Sequence, residues 1–358
     1  MKAALRFSGL LLVMSGVLLA FTLGTAVAAQ GGKQIAYVDW QGSYRIVLHD
    51  AASKLERVIL RQTAEPCCLS FSPDGRWLAF LMSLNDGPPR IGVIPWGGGS
   101  PYHPVDSYVT AVRPQWSPDS EWVAFRHQYA NPTSVEAHRS ERRLRDPQLP
   151  DGRDAFPIWS PDGQQVALVS DETISLVPAA CLYKADECDA PKQVNTAEQQ
   201  VSGMPVWSAD SSRLAFVAAV NRRSEVFVAA VVCPAVCPEA VAMTTDGQDK
   251  LSPVWSPDGR YLAYSGRDGG AYAVFLLEAS CAEIQAACSP RRLGPEGNSF
   301  APAWSSDGTE ILFTLEAVGT ASGRRISIQS VTVEGIVQSL RDGLFFNPSA
   351  VWWYGLGE

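Results

Sequence analysis

Short apolar runs recur along most of this chain, each closed by a tight polar turn and followed by a second run. Leu69-Ser70-Phe71 leads into Ser72-Pro73-Asp74-Gly75 and then into Arg76-Trp77-Leu78-Ala79-Phe80. The succession returns at Trp116, Trp159, Trp207, Trp255 and Trp304. Those tryptophans precede Ser117-Pro118-Asp119-Ser120, Ser160-Pro161-Asp162-Gly163, Ser208-Ala209-Asp210-Ser211, Ser256-Pro257-Asp258-Gly259 and Ser305-Ser306-Asp307-Gly308. Runs this short, bounded by turn residues, predict β-strands rather than helices. In the turns, proline presets φ, aspartate accepts hydrogen bonds from backbone N–H groups, and glycine tolerates positive φ.

The aromatic positions 71, 116, 159, 207, 255 and 304 are 45, 43, 48, 48 and 49 residues apart. A period of roughly 40–50 residues is that of a four-stranded propeller blade. Each unit parses as strand a up to the aromatic residue, the turn, strand b, a second apolar run as strand c, and a shorter, more polar strand d. Glu225-Val226-Phe227-Val228 illustrates strand c, and Ala240-Val241-Ala242-Met243-Thr244 strand d. The ends are complementary. Ile35-Ala36-Tyr37 begins as a strand b with no a before it, and Pro348 to Trp353 ends as a strand a with no b after it. Pairing them closes a ring and removes exposed sheet edges. The expected fold is therefore all-β: a seven-bladed propeller over residues 33–358, six blades being the alternative.

The repeats resemble those of the TolB-type WD40-like (PD40) propeller family, over nearly the whole chain after residue 30. The resemblance implies a propeller that binds a partner rather than one defined by a reaction. In the TolB protein a separate α/β domain precedes the propeller, whereas here Gly31 leads directly into a blade, so a Tol–Pal role is not expected. The propeller of prolyl-oligopeptidase enzymes is also similar. Those enzymes add a hydrolase domain, and residues 29–358 contain no Gly-x-Ser-x-Gly nucleophile elbow.

The first residues change the picture of location. Lys2 and Arg6 precede the apolar stretch Leu10 to Phe21, and Ala26-Val27-Ala28 offers a small-residue cleavage site. Residues 1–28 read as a signal peptide. The uncharged run from Phe7 to Ala29 is also long enough for a membrane anchor. Either way the body is expected in the periplasm, secreted, or on the outer face of the membrane, with membrane contact only if the segment is uncleaved. A net charge of -8 argues against a generic nucleic-acid partner.

Candidate chemistry is sparse. The repeat aspartates Asp74, Asp119, Asp162, Asp210, Asp258 and Asp307 are expected to cap their own turns. Cys181 and Cys188, Cys233 and Cys237, and Cys281 and Cys288 each fall between strands c and d of successive blades. That repeated placement, with an exported chain, predicts three hairpin disulfides. No histidine lies near these pairs, which disfavours zinc. Cys67 and Cys68 are expected as buried thiols pointing to opposite faces of a strand, a vicinal disulfide being the minor alternative. Of the histidines, His103 and His127 alone could share a face, one ligand short of a metal site. No metal or cofactor is expected. The basic run His138 to Arg145 reads as solvated surface, or as a contact for an anionic envelope polymer.

The a–b turns and cysteine hairpins share one face of the ring, and the b–c loops and d–a connections the other. The second face is the varied one. It supplies the candidate ligand-binding residues Asp39, Asn85, Asp86, His127, Asp171, Glu172, Arg222, Arg267 and Asp268, because function is usually grafted onto variable loops of a rigid frame. The expected role is an extracytoplasmic module binding an envelope protein, a peptide or another polar ligand. The alternative is a lyase or hydrolase acting on a carbohydrate or peptide in the central channel, which would need acids, bases or metal ligands converging there.

Overall fold

Strand propensity, turn chemistry and end-to-end pairing combine as the repeats predict: seven antiparallel sheets follow one another along the chain. The structure is a computed structural model. It describes residues 34–50, 53–63, 65–83, 89–103, 112–126, 133–137, 155–170, 173–182, 191–196, 198–232, 238–282, 289–295, 297–317, 325–344 and 351–352. All of these belong to one unit, Gly31–Glu358. Residues 1–28 lie outside the described set. Among the described residues no helix is long and apolar enough to cross a membrane.

Blade 1 is closed by the two ends of the chain. Its sheet runs Val351–Trp352, Gln34–Trp40, Tyr44–Asp50, Glu56–Gln62, with Trp352 opposite Ile35 and Val351 opposite Ala36. Blades 4 to 7 are four-stranded, while among the described residues blades 2 and 3 show three strands each. In blade 2 a further bridge joins Val93 to Tyr102.

Strands b are sandwiched between neighbouring blades, so they are apolar on both faces. Leu78-Ala79-Phe80-Leu81 and Leu214-Ala215-Phe216-Val217 are buried without interruption. This explains why these strands read as continuous apolar runs rather than alternating ones. The seam of the ring is a core of its own, where Ile35, Tyr37 and Val47 of blade 1 meet Leu312, Ile326 and Ile328 of blade 7.

The repeated turn is a closed hydrogen-bond unit. Ser72 Oγ donates to Asp74 Oδ1 at 2.6 Å and accepts from Trp77 N–H at 3.0 Å. Asp74 Oδ1 also accepts from Arg76 N–H at 3.0 Å. The same set recurs around Asp119, Asp162, Asp210, Asp258 and Asp307. Burial opposes ionisation of Asp162, Asp210 and Asp258, yet the serine and backbone donors outweigh it and hold these carboxyls below their ordinary range.

Two turns replace the glycine by serine at φ near +60°, Ser120 and Ser211. Each serine hydroxyl accepts from the aspartate N–H of the preceding blade's turn, Asp74 to Ser120 at 3.0 Å and Asp162 to Ser211 at 3.1 Å. The bond across the blade boundary offsets the roughly 1 kcal/mol that a left-handed non-glycine residue costs.

The tryptophans do more than fill space. Four of the five indole N–H groups reach back to strand a of the previous blade: Trp116 to Ser70 O, Trp207 to Ile158 O, Trp255 to Val206 O and Trp304 to Val254 O, at 3.0–3.2 Å, while Trp159 Nε1 is buried without such a bond among the described residues. Each bond contributes about 1 kcal/mol, and together they fix the spacing of the inner strands.

Candidate functional site

The inner strands wall a central cavity of 730 Å³. Its lining comes from strands a of blades 2 to 7 and includes Leu69, Gln115, Ile158, Met204, Leu251 and Ala301. The wall is mostly apolar. Arg113 is the one charged side chain among the described lining residues, and no histidine or carboxylate is among them. The cavity extends to Pro73, Pro118 and Pro161 of the repeated turns, so the turn face also contributes to it and is not purely a frame.

Local backbone geometry shapes this wall. In four blades the a–b ladder is interrupted by a bulge: between Cys67 and Ser70, Ser202 and Val206, Leu251 and Val254, and Phe300 and Ala303. A left-handed residue sits in each, namely Cys68, Gly203, Ser252 and Ala301, with φ of 60°, 80°, 51° and 52°. Strand b places a buried aromatic side chain at the interrupted register: Phe80, Phe216, Tyr264 and Phe313. A bulge leaves its extra residue outside the ladder. In blades 5 to 7 the bulge contains Pro205, Pro253 or Pro302, tolerated because the missing N–H is not needed there.

The varied face holds three separate polar constructions. In blade 1, Asp39 and Arg45 are directly opposite cross-strand neighbours, both buried. Arg45 Nε donates to Asp39 Oδ1 at 2.7 Å, and a second bond joins the other nitrogen and oxygen of the fork. Hydrogen bonding to Asp39 raises the guanidinium further above its ordinary range. In blade 6, Arg267 pairs with Asp249 at 3.3 Å, and Asp268 with Arg292 at 3.2 Å, all partly exposed. In blade 5, Asn221 and Arg222 form a two-residue hairpin turn with φ of 52° and 64°.

Arg222 lines a 560 Å³ cleft with Glu198, Gln200 and Asn221. A neighbouring 680 Å³ cleft adds Arg223, Glu225, Glu239 and Thr244. Asp39, Arg222, Arg267 and Asp268 do not line the central cavity. Asn85, Asp86, His127, Asp171 and Glu172 lie outside the described residues, as does the basic run. His103 Nδ1 is 2.8 Å from Ile91 O, where it bonds the backbone of its own blade.

Beneath the Asn221 turn lies a cluster that sequence reasoning did not identify. Lys250 is buried and its Nζ is 3.2 Å from Glu225 Oε2. The ammonium also donates to Gln248 O at 2.7 Å, to Ser224 O at 3.3 Å and to Asp246. Glu225 accepts from Thr244 Oγ1 at 2.5 Å and from Gly247 N–H at 2.6 Å. The cluster ties the connection between blades 5 and 6 to strand c. Asp246 and Lys250, four residues apart in a polar stretch, were the only sequence signal.

Cys181 and Cys281 are both disulfide-bonded. Cys188, Cys233, Cys237 and Cys288 lie outside the described residues. Cys67 and Cys68 are thiols and are half-buried rather than buried. They do not point apart: the bulge interrupts alternation, and their thiols hydrogen-bond to each other. Among the described residues no group of three or more His, Cys, Asp or Glu side chains is placed to hold a metal.

No protein-family model matches the chain. Over 119 residues it is 29% identical to the Tol-Pal system protein TolB of Desulfotalea psychrophila, a match covering 33% of this chain and 25% of that protein. Over 85 residues it is 31% identical to TolB of Francisella tularensis subsp. mediasiatica, covering 24% of this chain and 18% of the relative. The matched stretch is thus at most a quarter of the curated relatives. Among solved structures, TolB from Acinetobacter baumannii superposes with a TM-score of 0.57 at 13% identity, covering 89% of this chain and 66% of that one. Prolyl oligopeptidase B from Galerina marginata superposes with a TM-score of 0.61 at 13% identity, covering 87% of this chain and 52% of the enzyme. At such identities the likeness is one of fold.

Proposed function

We propose that this propeller, similar over part of its length to TolB, is an extracytoplasmic binding module that takes an extended polypeptide segment of an envelope partner into its central channel. One observation carries this reading. The 730 Å³ cavity is walled by inner strands whose bulges interrupt the ladder, amid apolar side chains and, among the described residues, one arginine. An extended segment offers both partners such a wall needs, backbone groups for hydrogen bonding and side chains for apolar burial. The positive N-terminus and small-residue site at Ala28 support export. The enzyme reading lacks comparable support, because the described wall presents no paired acid and base.

Leu251 is a cavity-lining residue and is 42% exposed. Placing a carboxylate there would desolvate a charge against any bound segment. The test is capture of envelope proteins by the chain from residue 29, comparing Leu251→Glu with the double variant Arg222→Ala, Arg267→Ala. Loss with Leu251→Glu alone, at an unchanged melting temperature, is the expected result. Loss only with the arginine variant would move the site to the b–c loops. Capture unaffected by either would overturn both placements.

A further inference from the structure

The inner strand of blade 2, Pro66–Phe71, carries two adjacent thiols that channel binding does not require. Its ladder with Trp77–Ser83 breaks between Cys67 and Ser70, so Cys68 and Leu69 together face Phe80. Neighbouring residues of a regular strand point to opposite faces. Here Cys68 adopts a left-handed φ of 60°, and its thiol hydrogen-bonds to that of Cys67. Both cysteines border the apolar core between blades 2 and 3 and are half-buried. The next residues, Leu69 and Ser70, line the channel, as does Arg113, whose charge reaches both thiols. The fold does not demand sulfur at this place: the equivalent bulges of blades 6 and 7 use Ser252 and Ala301.

We propose that Cys67 and Cys68, on the strand that leads into the channel-lining residues Leu69 and Ser70, form a thiol–disulfide exchange site, which takes a linear disulfide and closes reversibly to a vicinal disulfide. The two sulfurs have different roles. Cys67 is paired in the ladder opposite Leu81, whereas Cys68 lies outside it and next to the channel-lining Leu69; the hydrogen bond from Cys67, with Arg113 adding to it, also lowers the Cys68 thiol, so Cys68 is the attacking thiolate. It attacks one sulfur of the linear disulfide, forming a mixed disulfide and expelling the other half as a thiolate that takes a proton from water. Cys67 then gives its proton to solvent, and its thiolate attacks Cys68 Sγ and expels the second half. Two cysteine thiols are oxidised and one external disulfide is reduced to two thiols.

Reversibility follows from the backbone. Adjacent Cα atoms are about 3.8 Å apart across a trans peptide, whereas disulfides usually span roughly 4.4–6.8 Å. A vicinal bond is therefore strained and easily reduced. The change would be sensed next door, because Ser70 O accepts the indole N–H of Trp116 at 3.1 Å.

The experiment equilibrates the full chain in glutathione buffers graded from reducing to oxidising, followed by alkylation and peptide mapping. The expected result is a Cys67–Cys68 bond in the oxidising buffers that reverses on adding reduced glutathione, with a parallel change in tryptophan fluorescence. Cys67→Ser should accumulate glutathione on Cys68, while Cys68→Ser should react about tenfold more slowly or worse. Melting curves of the two serine variants establish that each is folded, and mapping of the parent chain stands independently of them. Alkylation of both thiols at every buffer would overturn the proposal. So would separate glutathione adducts with no internal bond, or a bond that forms only in denaturant.

Discussion

Replacing Lys250 by methionine tests whether the blade 5 cluster is a structural anchor. Its side chain is 1% exposed and that of Glu225 9%, so neither charge is solvated when the partner is removed. Lys250→Met keeps the apolar stem and deletes the ammonium. Glu225 would retain its donors from Thr244 and Gly247 but lose its counter-charge. Breaking a buried pair from one side costs about 3–5 kcal/mol. For a domain of this size each kcal/mol lowers the melting temperature by roughly 2 °C, so a fall of about 6–10 °C is expected. The double variant Lys250→Met, Glu225→Gln should recover much of that loss, because no orphan charge remains. Arg267→Ala is the control. Its pair with Asp249 is exposed on both sides and should be worth at most about 1 kcal/mol. Thermal unfolding of the four proteins in one buffer decides the matter. If Lys250→Met melted within 2 °C of the control, the network would have no anchoring role and the argument from burial would fail.

Two further outcomes follow from the seam and from close packing. His49 is buried near Glu56, with Nδ1 to Oε1 at 3.6 Å, and Lys54 and Asp50 also act on it. Burial, the largest influence, holds its imidazole below the ordinary range. The folded state then resists a proton that the unfolded chain accepts, so stability should be full above about pH 6.5 and fall as pH drops below it. His49→Gln should flatten that decline, and parallel stability profiles from pH 8 to pH 5 would refute the assignment. In strand c of blade 2, Pro89–Pro95, a Cβ on Gly92 would lie 2.8 Å from Cζ of Phe80. Gly92→Ala should destabilise by about 1–3 kcal/mol, and Phe80→Leu in the same chain should relieve part of it; denaturant midpoints of both variants check this.

What the sequence revealed and what it hid divide along a physical line. Features repeated in every blade were legible, because each copy of Ser72-Pro73-Asp74-Gly75 states the same local geometry. Six copies fixed the period, and the period fixed the blade. The closure was legible as well, since a strand b without its a and a strand a without its b leave sheet edges that only each other can cover. Contacts between blades were not legible. The bond from Asp74 N–H to Ser120 Oγ joins residues 46 apart. Nothing local marks that serine except its departure from glycine. Asp39 looked like a loop-tip carboxylate. Its register opposite Arg45, which turns it into a buried ion pair, becomes visible only once the hairpin is paired.

The channel wall was hidden for a different reason. Sequence reasoning looks for charged and nucleophilic side chains, and this wall is shaped largely by backbone. Ser252, Ala301 and Gly203 carry no chemistry that singles them out, yet their left-handed conformations set the bulges that line the cavity. Proline was only a partial signal. Pro205, Pro253 and Pro302 stand in bulges two residues before the tryptophan, but Pro157 holds the same place in the continuous ladder of blade 4, and the bulge of blade 2 contains no proline. A wall of that kind can hold an extended segment without dictating its side chains. Selectivity then falls to the few positions where the blades differ, Arg113, Gln115, Met204 and Leu251. Leucine and methionine contribute apolar area there. Under the proposed reading, a segment that is apolar along its length is the one such a wall would favour.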